Sequence, residues 1–290
     1  MATSLTNTTF PVTYKDDFID SDNYHKILFN SGKALQAREL TQLQTIIQEE
    51  ISRFGSNIFI DGAVVNGSGF TVDNKYEYIK LADNQLPSAT GVELLGTTFI
   101  DPTGIKFKIL EVVLKATTGD KDTLYIKYLD TRAGTAGATP VRVGTSGVSI
   151  EQFGSGSLSP MTVHADAAAV GTGTRVSIGA GSFFVQGHFV FAKAQTIIAS
   201  FYDFKPNATI GFKVDEDIVT TADDNALFDN QGAVPNAAAP GADRYRIKLT
   251  LINKTSILPG ENFVYLFKLT NGKITDEARV DNSYNELSNT

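Results

Sequence analysis

Between Ser31 and Gly55 the run SGKALQARELTQLQTIIQEEISRFG carries the only sustained helical period in a chain that elsewhere reads as strand and turn. Leu40, Leu43, Ile47, Ile51 and Phe54 recur at steps of three or four, which gathers them on one stripe of an α-helix. Arg38, Glu39, Glu49 and Arg53 fall largely outside that stripe. One face of the helix is therefore expected to be covered. Asn30 or Ser31 can cap the start with a side-chain oxygen, and Gly55 can end the helix in the left-handed conformation. Leu40, Leu43, Ile47 and Phe54 also approximate a coiled-coil seam, broken at Glu50. The stripe can thus face its own domain or copies of itself, and a seam of only about two to three heptads favours the first.

The rest of the composition points to β-structure. Gly 25, Phe 19 and Tyr 10 in 290 residues, with abundant Thr, Val and Ile, suit strands joined by frequent turns. The expected fold class is mainly β with one long N-terminal α-helix, in several domains built as small β-barrel or β-sandwich modules. With no cysteine, disulfides, thiolate metal sites and cysteine nucleophiles are all excluded. A net charge of −7 gives no general attraction to phosphate backbones, so nucleic acid is not an expected partner. No apolar run reaches the length of a membrane helix, and the N-terminus lacks the basic start and apolar core of a secretory signal, so no membrane partner is expected either.

Taken in order, residues 1–30 read as an extended arm and, with the helix, form the first unit, 1–55. Ile58–Val65 and Phe70–Leu81 are expected to form a hairpin around the loop signal Asn66–Gly69. An internal echo links Asn57–Val65 to Ser182–Val190, each with a glycine inside an apolar run, as at a bulge or close approach of equivalent or neighbouring strands. A first β-domain then comprises 56–91 and 159–205. Residues 92–158, with short strands between Asp101–Gly104 and Thr118–Asp120 turn chemistry, are expected to form an inserted small barrel-like domain. The remainder, 206–290, is a C-terminal β-domain with a long loop at 215–244 and a hairpin at Asn271-Gly272.

Candidates for chemistry are few. His25, His164 and His188 are the only imidazoles, and none has a second histidine at ligand spacing. His164-Ala-Asp166 reads as a loop, and His188 as a sheet residue. Gly171-Thr-Gly173 lacks the third glycine and the strand-to-helix setting of a phosphate loop, and no serine stands in a G-x-S-x-G elbow. Asp215-Glu216-Asp217, Asp223-Asp224 and Asp229-Asn230 offer oxygen ligands without the spacing of a calcium loop. The expectation is no catalytic constellation, no metal site and no cofactor.

The run YHKILFNSGKALQARELTQLQTIIQEEISRFGSNIFIDGAVV resembles the N-terminal signature of a family of large virion structural proteins from tailed bacteriophages, many of them T4-like cyanophages. The shared pattern falls here on Gly32, Leu35 to Leu40, Gln44, Phe54-Gly55, Ile58-Phe59 and Asp61-Gly62. Later blocks agree in order: Phe183-Phe184-Val185 with Gly187; Asp224, Leu227, Asp229-Asn230, Gly232, Asn236 and Ala239–Arg244; and Tyr284–Ser288. The resemblance implies a baseplate or tail-fibre component of the virion, assembled in the host cytoplasm. Its implied partners are other tail or baseplate proteins and further copies of itself, a trimer among the options, and it implies no enzymatic activity. Members of that family commonly continue beyond the tyrosine block, so a chain ending at Thr290 would suit a short adaptor. The candidate interaction residues, from the helix stripe and the resemblance together, are Arg38, Glu39, Leu40, Leu43, Ile47 and Phe54 on the helix, with Asp229, Asn230, Asp243 and Arg244 downstream. The alternative is a carbohydrate-binding receptor module of a tail fibre, which would need exposed Tyr and Phe grouped with polar neighbours at one end of a β-domain.

Overall fold

The computed structural model describes residues 14, 16, 18–129, 142–145, 147–154, 156–229 and 236–278. They form a mainly β chain with one long helix, α1 (Ala37–Ser56), and several sheets, one of them curled into a half-barrel. The described residues before α1 are extended apart from single turns; after it come the strands.

Strands β1 (Val64–Gly67) and β2 (Phe70–Lys80) do not form the expected hairpin with each other. They run instead beside β9 (Gly181–Val185) and β8 (Val170–Ile178): β1 pairs with β9 from Val64↔Phe183, and β2 with β8 from Phe70↔Ile178 to Ile79↔Val170. Both ribbons bend at the same place, residues 67–69 against 179–181, held there by Ser68 N–H to Ala180 O and Gly179 N–H to Gly69 O. Above the bend, β1, β9 and β10 (His188–Ala192) make a three-stranded sheet. The two echoed runs thus meet in one sheet only at their strand portions, Val64 and Val65 of the first beside β9 of the second. Their glycines are not bulges inside strands: Gly62 (φ 87°) and Gly187 (φ 83°) both sit in left-handed turns.

Below the bend lies an eight-stranded sheet. β11 (Gln195–Ser200), β8 and β2 continue through β5 (Thr123–Tyr128), β4 (Lys106–Val113), β3 (Thr98–Ile100), β6 (Ser149–Gln152) and β7 (Met161–Thr162). The stretch expected as an insert, 92–158, therefore extends the sheet of β2 by direct pairing, Glu77↔Ile126 to Lys80↔Thr123. Its turns form as the sequence predicts. Asp101 is buried and accepts from the Thr103 and Ile105 N–H groups, and Gly119 takes the left-handed cap of the one-turn helix α2 (Lys115–Thr118). Alternation sorts this sheet's side chains onto two faces. Ile79, Leu81, Phe99, Phe107, Ile109, Leu124 and Ile126 pack inside the curl, while Tyr76, Tyr78 and Tyr125 pack on the other face under Phe201 and Tyr202.

The third sheet has the order β15 (Arg244–Asn253), β12 (Ala208–Val219), β16 (Asn262–Thr270), β17 (Lys273–Glu277). The expected loop starts later than the sequence suggests, because Asp215 to Val219 continue β12 in register with β15, Asp217 opposite Arg246. Beyond Thr220 comes a small ribbon of β13 (Phe228–Asp229) and β14 (Asn236–Pro240). Asn271-Gly272 forms the predicted hairpin turn, with both residues at positive φ.

The boundary expected at 205/206 falls inside a hydrophobic core. Val176, Ile178, Phe183 and Val185 pack with Ile210, Phe212, Leu251, Leu266 and Phe267, as two sheets of a sandwich do. Edge-to-face contact of Phe183 with Phe212 (centroids 4.8 Å) and tilted contact of Phe70 with Phe267 (4.7 Å) join the halves. Gln195 fastens the seam with its side-chain amide, which donates to Leu249 O and accepts from Leu251 N–H.

Candidate interaction surface

Helix α1 begins six residues later than Ser31. Lys33 N–H closes a turn on Asn30 O, and the chain stays non-helical to Gln36, which is the N-cap. Gln36 and Glu39 form a reciprocal capping box, Glu39 Oε2 accepting from Gln36 N–H at 3.0 Å, and Arg38 Nε donates to Gln36 Oε1 at 2.7 Å. Arg38 and Glu39 are thus tied into the helix start. At the other end Gly55 is inside the helix, and Asn57 caps it with its side-chain amide on Arg53 O. Gly55 serves close packing: a Cβ there would come within 2.5 Å of the Phe184 ring.

The helix has three sides. Toward the three-stranded sheet it turns Gln48, Ser52 and Gly55; Gln48 Nε2 donates to Gly187 O, and Ser52 lies against Gly187. Toward the N-terminal arm it turns Thr45, Ile46, Glu50 and Arg53. Thr45 Oγ1 donates to Asp16 Oδ2, Arg53 pairs with Asp20, and His25 Nδ1 lies 3.4 Å from Glu50 Oε1. Phe18 and Tyr24 line a shallow hollow with the buried Ile46.

The third side is the predicted apolar stripe, and it faces outward. Leu40 is 43% exposed, Ile47 53%, Ile51 41% and Phe54 69%, with Leu43 half-buried beside them. The expectation that this stripe packs inside its own domain is therefore overturned. The physical reason lies in the buried side, where small and hydrogen-bonding residues let the helix approach the sheet closely without needing large apolar groups. Phe189 and Phe191, on the outward face of β10 beneath the helix, are also exposed. Sequence reading missed both. Their signal was the unbroken apolar run Phe189-Val190-Phe191-Ala192, in which Val190 and Ala192 fill the core face.

The downstream candidates lie elsewhere. Asp243 accepts from the Tyr14 hydroxyl at 2.6 Å, which joins the arm to the start of β15, and Arg244 Nη1 donates to Ala242 O. Asp229 is exposed on β13, and Asn230 lies outside the described residues. The acidic runs serve local structure. Asp217 pairs bidentately with Arg246, which holds its carboxyl below the usual range; Asp223 caps the turn at Thr220; and Asp215 pairs with Lys213. Among the described residues no group of three or more His, Asp or Glu could hold a metal ion. Gly171 and Gly173 lie in β8 at close approaches to Tyr78 and to the Ser200–Phe201 backbone. His188 is largely buried near Tyr245, and burial lowers its pKa.

The most elaborate polar cluster is the Tyr layer. Tyr76 stacks on Tyr125 at 4.5 Å, Arg175 lies over the Tyr76 ring, Tyr76 donates to Glu111 at 2.9 Å, and Lys80 lies over Tyr202. It is enclosed packing between two layers of structure.

Among the described residues no helix is long and apolar enough to cross a membrane. No curated protein and no solved structure matches the chain. One family matches in two segments, residues 12–86 and 162–287, and the unmatched stretch between them carries β3 to β6. Since those segments span more than two thirds of its length, the chain belongs to the family described as "Domain of unknown function (DUF4815)".

Proposed function

We propose that the chain is a structural component of a bacteriophage tail, a baseplate protein or an adaptor between baseplate and tail fibre, working by protein–protein assembly without catalysis of its own. The observation that carries the assembly role is the outward stripe of α1, where Leu40, Ile47, Ile51 and Phe54 stay exposed in one row on a helix whose other two sides are occupied. A folded chain working alone seldom leaves such a row open to water. The tail setting rests on the resemblance of the α1 region and the ordered later blocks to virion structural proteins of tailed phages. A sugar-binding reading would need exposed Tyr and Phe grouped with polar neighbours at one end of a β-domain; Tyr76, Tyr78 and Tyr125 are buried, and the exposed Phe189 and Phe191 lie on β10 beside the helix.

The test is incorporation. In particles of a phage encoding this chain, mass spectrometry should find it in stoichiometric amounts and microscopy should place it in the tail. Ile47→Glu should leave the chain folded and reduce its incorporation at least about tenfold. Equal incorporation of wild type and variant would sink the role given to the stripe, as would absence of the chain from particles. Release of reducing ends from host polysaccharide by the purified protein would replace the structural reading with an enzymatic one.

A further inference from the structure

We infer that the occupant of the α1 stripe is the α1 stripe of a second copy, paired antiparallel across a two-fold axis near the middle of the helix. This rests on the assembly reading above and names the partner. Leu40, Ile47 and Phe54 stand seven residues apart, with Leu43 between them, so they form the a and d positions of a short seam that a like helix fills knob into hole. At their exposures Leu40, Ile47, Ile51 and Phe54 leave roughly 400 Å² of apolar surface open. At the about 60% apolar share usual for a buried patch, this corresponds to roughly 700 Å² per copy, near the about 800 Å² of a standard interface.

Charge sets the direction. Glu50 occupies the remaining d position, and a parallel pairing would set its carboxylate against the same carboxylate of the next copy. An antiparallel pairing with Leu43 opposite Ile47 moves the two Glu50 groups to opposite ends, each beside Leu40 of the other copy. The same arrangement brings Glu39, in the first turn, near Arg53 of the second copy, in the last turn. Opposite charges and opposite ends of the helix dipoles then meet at both ends. Arg53 remains bound to Asp20 and Glu49 of its own chain, so the second carboxylate joins an existing cluster.

The chain has no cysteine, which makes direction measurable by single introduced thiols. Light scattering of the full chain across the micromolar range should show a dimer. Ile47→Glu should weaken it at least about 100-fold while leaving the circular dichroism unchanged. Chains bearing Leu43→Cys mixed with chains bearing Ile47→Cys should be joined by a short bifunctional thiol reagent, whereas chains bearing Phe54→Cys should not join to one another. A wild-type chain that stays monomeric, a dimer indifferent to Ile47→Glu, or self-joining through Phe54→Cys in place of the mixed pair would each overturn the proposal. A monomeric chain that still enters particles, and fails to enter them as Ile47→Glu, would overturn self-pairing alone and leave the assembly role intact.

Discussion

Tyr125 is fully buried, stacked on Tyr76, with its hydroxyl donating to Phe201 O at 2.8 Å. Burial first, and the neighbouring Tyr202 and Glu111 next, raise its pKa well above the ordinary value of 10.0; burial and Glu111 do the same for Tyr76, and burial pushes Tyr128 up to about 12. Below pH 10 both folded and unfolded chains keep these protons, so they have no effect on stability. As pH rises past the unfolded value, the unfolded chain releases protons that the folded one still holds, and stability falls by roughly 1 kcal/mol per pH unit for each such phenol. Urea midpoints should therefore hold up to about pH 10 and drop steeply between about pH 10 and pH 12, and less steeply in Tyr125→Phe. Native tyrosinate absorbance that develops in full near pH 10 with no loss of stability would contradict the enclosed layer. The sequence shows these tyrosines as strand residues, but their common layer depends on β2 lying beside β5, which no local pattern encodes. Gly62 and Gly187 are the reverse case. The echo between their surroundings is visible in the residues, and the structure explains it: each turn ends a run that meets the other, Gly62 N–H donating to Phe184 O and Gln186 N–H to Asp61 Oδ1.

At the scale of the element, α1 shows what periodicity can and cannot give. The 3.6-residue repeat of Leu40, Leu43, Ile47, Ile51 and Phe54 correctly locates a helix and its apolar stripe, since both follow from local geometry. Which side meets the body does not follow from it. The buried side is marked by Ser52, Gly55 and Gln48, whose contribution is short distance and hydrogen bonding to Gly187, and a hydrophobicity pattern is blind to both. Ile46 and Ile47 are adjacent in sequence and opposite in setting, Ile46 being covered by the arm and Ile47 open to solvent. In urea unfolding at a concentration low enough to keep the chain monomeric, Ile46→Ala should cost about 2 kcal/mol or more, and Ile47→Ala less than about 0.5 kcal/mol. Equal costs would mean that the stripe is packed internally after all.

For the whole molecule, the strand runs and most turns are legible, including Asp101–Gly104, Gly119 and Asn271-Gly272, because each is fixed by residues within a few positions. The grouping of strands is not, because it is decided by partners that lie from tens to more than a hundred residues apart. β1 and β2 look like a hairpin until β9 and β8 compete for their edges and win, with β8 pairing along most of β2. The C-terminal sheet looks separable until Phe183 meets Phe212, Phe70 meets Phe267, and Gln195 completes the edge of β15. A shared core of this kind unfolds cooperatively, since removing either layer exposes the apolar face of the other. Phe267→Ala deletes a fully buried ring at that junction and should cost about 3–5 kcal/mol. Native-state hydrogen exchange gives the sharper reading. The lost protection should appear in β9, β10 and the first half of β2 as strongly as in β12 and β16, and less in β3 to β6, whose side chains fill the other core. Loss confined to residues 206–278 would mean that the C-terminal sheet is an independent unit docked on the rest, and the shared sandwich would have to be abandoned.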